Sequence, residues 1–436
     1  MPSGETLKFD SLVLGGGIAG LAAALDLADA GYQVAVVERD ASIGGKMIRL
    51  SKVFPTLDCA SCITTPKMAA ASHHPNITLF TLCRLEEAQR QEGRLRARIT
   101  QLPRYVDPAK CIGCRQCEYQ CPVMVDDHEQ GGFTARKAIY IPFSNAIPQL
   151  ALIDREHCMM CGKCSQVCPT GAVDQLQKEE EFIIEADTML VSTGFELMTD
   201  YPARAYGNPG LGDNVISSLQ MERLLAPHGP YMRVLRPGDG KEPESIAFIQ
   251  CAGSRDLQLG KSYCSRVCCM YAIKQAMLLS GALPLADLTI YYMDIRAFGK
   301  NYEQFYNNAK AMGVEFVKAK PIITGNDPDG SVVLRYEDQE GGSGPVNRQH
   351  DLVVLSLAML PAFSPQEVLP ISEATDGFLD VPSPKLAPAL TDMEGVFTCG
   401  TAAGPKDIVD SIAEAGAAAL GAAKYLTALR GGQAAA

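Results

Sequence analysis

At the start of the chain an apolar run at residues 7–14 predicts a short buried strand. A glycine-rich interruption follows, then an Ala/Leu-rich stretch with helical spacing that extends to Ala30. Residues 33–37 predict a second strand, which ends at Glu38. Residues 78–99, with a turn near Glu92-Gly93, predict a β-meander. The pattern stops at Arg104-Tyr105-Val106 and resumes at Glu181, running to Thr193-Gly194. From residue 245 the same order returns: strand 245–250, helix 270–279, strand 288–293, strand 314–318, a hairpin near 327–330 and a terminal strand at 351–356. That order is an internal repeat of one nucleotide-binding fold. An Ala-rich helix from Ser411 closes the chain.

Candidate chemistry enters at the first interruption. Gly15-Gly16-Gly17-Ile18-Ala19-Gly20 is a G-x-G-x-x-G loop between a strand and a helix, with an acid ending the next strand. In that context Gly15, Gly17 and Gly20 let the backbone approach a pyrophosphate at the helix N-terminus, and Glu38 can accept from a ribose hydroxyl. The bland alternative is a glycine-rich turn without a ligand. Gly44-Gly45-Lys46 comes next, as a similar Gly-Gly follows the ribose acid in two-dinucleotide flavoproteins, which favours FAD over a nicotinamide. Gly45, Lys46, Thr193 and Gly194 join the candidate flavin contacts. The second repeat carries Cys251-Ala-Gly253-Ser-Arg255-Asp256 where a phosphate loop is needed, so no nicotinamide site is expected there.

Cysteine supplies the strongest signal. Cys111-x2-Cys114-x2-Cys117-x3-Cys121-Pro122 and Cys158-x2-Cys161-x2-Cys164-x3-Cys168-Pro169 are two copies of the bacterial ferredoxin run. In such pairs the fourth cysteine of each run ligates the other cluster. Cys111, Cys114, Cys117 and Cys168 are therefore assigned to one [4Fe–4S] cluster, and Cys158, Cys161, Cys164 and Cys121 to a second. A pair of zinc knuckles is the alternative. Cys251, Cys264, Cys268 and Cys269 meet at a strand end and a helix start, with Arg255, Lys261 and Arg266 nearby to favour thiolates. A third iron–sulfur site is expected there, against zinc or plain buried cysteines. Cys59-Ala-Ser-Cys62 admits three readings: a redox dithiol near the flavin, two cluster ligands completed by another loop or chain, or two buried cysteines.

Composition narrows the classes. The 436 residues suffice for two or three domains, and net charge −11 argues against nucleic acid. No apolar run is long enough for a membrane span, and the Gly-Gly-Gly core and absent basic flank set residues 11–25 apart from a signal peptide. Sixteen cysteines without an export signal point to metal and redox chemistry in a reducing cytoplasm. The six histidines show no ligand or triad spacing.

Several motifs resemble the A-type subunits of heterodisulfide reductase. They are Thr56-Leu57-Asp58-Cys59 with Pro66-Lys67-Met68, the inserted double ferredoxin, Cys264-Ser-Arg-Val-Cys268-Cys269-Met-Tyr-Ala-Ile-Lys274-Gln275, Asp294-Ile-Arg-Ala-Phe-Gly299 and Gly404-Pro-Lys-Asp-Ile408. The likeness covers nearly the whole chain. It implies FAD on a thioredoxin-reductase-like fold, a cluster at Cys251, Cys264, Cys268 and Cys269, and Lys274 as the catalytic cation beside the flavin. Asp392-Met-Glu-Gly395-Val-Phe-Thr398-Cys399-Gly400-Thr401 resembles the last flavin motif of such reductases, with Thr401 where an acid often stands. Gly400, Thr401 and Lys406 complete the expected flavin contacts. Compared with longer members, the chain reads as a short form without terminal cluster domains.

The expected fold is α/β: a flavoprotein with two dinucleotide-binding domains and an inserted α+β double-[4Fe–4S] ferredoxin domain. The FAD-binding domain takes residues 1–106, 180–240 and 361–436, the insert 107–179, and a degenerate NAD(P)-domain-like unit 241–360. The expected function is electron transfer in a heterodisulfide-reductase-like complex, with FAD and three clusters, bifurcating or distributing electrons. Expected partners are B- and C-like subunits, a donor subunit or ferredoxin, and a second copy in a homodimeric core. A self-contained NAD(P)H-dependent reductase, like the small chain of glutamate synthase, is the competing enzyme reading. A scaffold with structural zinc is the third, and it leaves the flavin motifs unexplained.

Overall fold

The structure is a computed structural model that describes residues 5–208, 210–342, 344–365 and 368–434. The chain forms two compact units. The first comprises Met1–Ile48, Ile63–Phe195 and Pro361–Ala436; the second comprises Arg49–Cys62 and Glu196–Leu360.

The first unit is built on a sheet ordered Ile77–Phe80, Val34–Val37, Thr6–Leu14, Glu180–Val191, Arg94–Gln101, Cys83–Gln91, with Val396–Thr398 also pairing with Glu180–Val191. Val34–Val37 is buried at every position, as a parallel strand covered on both faces must be. Small side chains let the helices Ile18–Asp29 and Ile408–Ala434 approach closely: Ala22, Ala23 and Ala24 share one core with Ala415, Ala418 and Ala422. The strand Glu180–Val191 changes character along its length. Burial alternates through its first residues, which pair with the antiparallel hairpin, and becomes continuous at its end, inside the parallel sheet.

Two expectations are corrected. Residues 78–99 are not one meander: Ile77–Phe80 runs parallel to Val34–Val37 as a third nucleotide-fold strand, and the antiparallel hairpin starts at Cys83. A short apolar run does not disclose the direction of its partner, so the pattern alone merged them. The stretch 180–240, expected within the FAD domain, divides at Phe195. The strand Val215–Ser217 pairs with Leu352–Leu357 in the second unit's sheet, and three residues are too few to announce a strand by period.

The second unit holds a parallel sheet ordered Val215–Ser217, Leu352–Leu357, Ser245–Ala252, Asp287–Tyr292, Glu315–Lys318. A separate antiparallel sheet, Ile322–Asn326, Val332–Glu337, Pro345–His350, extends the expected hairpin by one strand. A capping box, Ser217 with Gln220, starts the helix Ser218–Leu225. Among the described residues no helix is long and apolar enough to cross a membrane.

Candidate functional site

The glycine loop leaves the strand Thr6–Leu14 and enters the helix Ile18–Asp29 at Gly17, with no side-chain cap and no acid in the first turn. The N–H groups of that turn are thus left for an anion. A side chain at Gly20 would stand 2.0 Å from the Gly15 carbonyl, and one at Gly45 would stand 2.9 Å from Gly17 Cα. These positions hold two backbone walls in close approach. Glu38 Oε2 accepts from Gly16 N at 2.7 Å, and its Oε1 accepts from Asp40 N at 2.9 Å. Burial pushes its carboxyl up to about 7, against the pull of those two N–H groups. Lys46 Nζ lies 5.4 Å from the Phe195 ring. Thr193 and Gly194 follow the end of Glu180–Val191, where Ser192 Oγ donates to Leu14 O and Gly15 O. Gly400–Ala403 forms a 3₁₀ turn after the strand Val396–Thr398. Lys406 is not an unengaged cation: its Nζ donates to both oxygens of Glu414, at 2.7 and 2.6 Å. The uncapped helix N-terminus, the glycine walls and the acid after the second strand fit FAD.

The inserted module folds its two cysteine runs alike. Gly113 and Met160 occupy matching left-handed positions, as do Arg115 and Gly162. The helices Gln116–Gln120 and Lys163–Val167 follow. Two open pockets of similar size, about 370 and 320 Å³ with the solvent at their mouths included, result. One is lined by Cys111, Cys114, Cys117 and Cys168, the other by Cys158, Cys161, Cys164 and Cys121. Each cavity gathers three cysteines of one run and the fourth of the other. These residues fit a cross-ligated pair of cubanes.

The connector between the runs ties the module to the flavin cradle. Ile147 N donates to Ser42 Oγ at 2.8 Å, and Ile43 N donates to Ile147 O at 3.0 Å. Ser42 and Ile43 lie directly before Gly44-Gly45. At the module's entry the buried Arg104 donates to Ala41 O at 3.0 Å and Thr81 Oγ1 at 3.1 Å.

In the second unit Cys251, one residue before the end of the strand Ser245–Ala252, is in the left-handed conformation, φ 57°, and Cys268 and Cys269 open the helix Cys268–Ala282. Burial holds the Cys268 thiol well above its ordinary range, and Cys269, Cys251 and Cys264 add to it. Asp294 Oδ1 accepts from Arg255 Nη1 at 2.7 Å and Arg296 Nε at 3.2 Å. Those guanidiniums bear on Cys251 and Cys264 respectively. The Asp294-Ile-Arg296 motif therefore clasps two cations at the cysteine group. Four gathered thiols with guanidiniums beside them fit an anionic thiolate cluster. Among the described residues no three Cys, His, Asp or Glu side chains close on a single ion position.

Lys274 is buried on that helix. Its Nζ pairs with Glu222 and donates to Lys52 O at 2.8 Å. Glu222 also accepts from Gln275 Nε2 and from Ser51 N. Burial holds the Lys274 ammonium below its usual range, and Glu222 opposes that shift. Sequence reasoning missed Glu222, Glu414 and the clasp made by Asp294. The capping box at Ser217 was the one local signal near Glu222.

Two family models match: a FAD dependent oxidoreductase over residues 10–74 and a 4Fe-4S dicluster domain over residues 110–173. The chain is 42% identical over 418 residues to the A-type subunit of the H(2):CoB-CoM heterodisulfide,ferredoxin reductase of Methanothermobacter marburgensis, covering 95% of this chain and 63% of that protein. It is 44% identical to the second A-type iron-sulfur subunit of the CoB--CoM heterodisulfide reductase of Methanopyrus kandleri, covering 97% and 66%. The chain thus spans a little under two thirds of the length of these relatives. Among solved structures it resembles thioredoxin reductase from T. acidophilum, with TM-score 0.53 and 13% identity over 97% of this chain and 99% of that one. Lactococcus lactis thioredoxin reductase gives TM-score 0.52 and 12% identity, over 96% and 99%. The fold is the thioredoxin-reductase-like flavoprotein fold with a 4Fe-4S dicluster insert.

Proposed function

The chain belongs to the family of heterodisulfide reductase A-type subunits, and from that premise we propose that it is the FAD and iron–sulfur electron-transfer subunit of a heterodisulfide-reductase-like complex. It distributes electron pairs between ferredoxin and B- and C-like subunits, bifurcating them. When bound, FAD exchanges electrons in pairs or singly and [4Fe–4S] clusters exchange them singly. The chain's residues do the rest. Gly15, Gly17, Gly20 and Gly45 admit the pyrophosphate, and Glu38 receives a ribose hydroxyl. Thr193, Gly194, Gly400 and Thr401 face the remainder of the flavin, Lys46 sets charge around it, and Lys406 meets it as one half of its pair with Glu414. The two ferredoxin sets and the Cys251, Cys264, Cys268, Cys269 set hold three clusters. Lys274, with Glu222, is assigned to tune the flavin.

The observation that carries this reading is the wiring of the cluster module to the cradle through Ser42, Ile43 and Ile147, one residue from Gly44-Gly45. Anaerobic purification tests it: one FAD and about 12 irons per chain are expected from three cubanes. NADH or NADPH alone should reduce the flavin slowly or not at all. Stoichiometric zinc, absent flavin, or rapid bleaching by either nicotinamide would overturn the proposal.

A further inference from the structure

Twelve of the sixteen cysteines lie in the three groups above. Cys83 and Cys399 are core residues, at 1% and 0% exposure. Cys59 and Cys62 are left, and they differ from Cys83 and Cys399: Cys62 is exposed and Cys59 partly so. We propose that Cys59 and Cys62 form a redox-active dithiol that exchanges with disulfides from solution, Cys59 attacking and Cys62 resolving.

The geometry favours that division of labour. Cys59 directly precedes the fourteen-residue helix Ala60–His73, whose first turn carries no acid. Cys62 N donates to Cys59 Sγ at 3.4 Å, and the two thiols are themselves hydrogen-bonded. The C-x-x-C spacing thus wraps both sulfurs around one helical turn. A thiolate at Cys59 gains an N–H donor and the positive end of a helix. The hydrogen bond from the Cys62 thiol, followed by the Cys62 and Ser61 N–H groups, holds the Cys59 thiol below its ordinary range, while the same thiol–thiol bond pushes Cys62 up. The attacking sulfur is also held in place. Cys59 bridges Lys52 in antiparallel fashion, Val53 N donates to Asp58 O at 2.9 Å, and Ala60 N donates to Ser51 O at 3.2 Å. Two thiols cannot complete a cubane alone.

The exchange balances. The Cys59 thiolate attacks one sulfur of R–S–S–R′; that S–S bond breaks, and R′S⁻ leaves and takes a proton. Cys62, having given its proton to solvent, attacks the Cys59 sulfur of the mixed disulfide, and RS⁻ leaves and is protonated. The protein loses two electrons and two protons, and the disulfide gains both as two thiols.

The test uses the anaerobic chain with its flavin and iron, held in glutathione buffers of stepped oxidised-to-reduced ratio. Thiols are blocked, the chain is cut after Lys52 and Lys67, and the peptide between them is weighed; Cys59 and Cys62 are its only cysteines. The expected result is loss of two hydrogens as the ratio rises, reversed by dithiothreitol, with iron content constant. Cys62→Ser should accumulate one glutathione on Cys59. Overturning results are a peptide that keeps both hydrogens at every ratio, a Cys62→Ser chain without adduct, or a Cys59→Ser chain that lacks about four irons, the count of one cubane. The measurement on the unsubstituted chain decides even where a variant fails to fold. It reads thiols rather than flavin or electron distribution, so its failure is separate from failure of the proposed function.

Discussion

The ammonium of Lys274 and the carboxylate of Glu222 meet where their side chains keep 2% and 3% exposure. A pair so buried is costly to split, because the survivor is left charged without water. Lys274→Ala should lower stability by about 3–5 kcal/mol. Lys274→Met combined with Glu222→Gln should recover most of that loss. Anaerobic urea midpoints of the three chains check it. A second reading separates structure from tuning: removing the cation should lower the flavin midpoint potential, and Glu222→Gln should raise it. Equal potentials in both variants would leave the pair with a structural role only.

Glu38 gives a pH dependence. Its folded carboxyl is raised from 4.5 to about 7, so the flavin-free folded chain holds a proton that the unfolded chain releases. This group's contribution to stability is therefore present below the unfolded value and declines as pH rises through about 7. A ribose hydroxyl donating to Glu38 requires the ionised form. FAD affinity should then weaken below pH 7, by up to about tenfold per pH unit, with proton release on binding. Calorimetric titration with FAD in two buffers of different ionisation enthalpy would show it; an affinity flat from pH 6 to 8 would remove Glu38 from the ribose.

The two module cavities predict crossed losses. Cys168→Ala should remove the cluster held with Cys111, Cys114 and Cys117, although Cys168 belongs to the other run. Cys121→Ala should remove the one held with Cys158, Cys161 and Cys164. Each variant combined with Cys114→Ala or Cys161→Ala tells which cluster went: a pair on the same cluster loses no more iron than either single variant.

At the third cysteine group the clasp predicts a potential. Asp294→Asn removes one negative charge from beside Arg255 and Arg296, which stabilises the more negative, reduced cluster. Its midpoint should rise, and Arg296→Gln should lower it. Redox titration followed by electron paramagnetic resonance reads both shifts; an unmoved signal would mean the clasp does not face a cluster.

What could be read from the sequence depended on how locally each chemistry is written. Gly15, Gly17 and Gly20 with Glu38, and the two cysteine runs, lie at spacings fixed by one turn or one loop, so the residues declare themselves. Glu222 lies 52 residues from Lys274 and Glu414 acts through Lys406, and a lone acid carries no spacing that names its partner. The helix Ala60–His73 was hidden by Pro66 inside it and by neighbouring Thr64 and Thr65, which weaken a helical reading. Val215–Ser217 was too short to show a period. The connector's role became visible only once folding brought Ile147 to Ser42 and Ile43.

Gln101 and Glu180 stand opposite one another in the antiparallel ladder. Everything from 102 to 179 is therefore, to the sheet, the loop of a very long hairpin. Closing such a loop costs entropy that grows only with the logarithm of its length. The ladder that supports the glycine loop can zip without any metal, and its register does not depend on what the loop contains. An independence follows: chains made under iron starvation should still carry flavin without clusters. Flavin and iron assays on protein from such cultures would expose the opposite, a flavin content that falls with the iron.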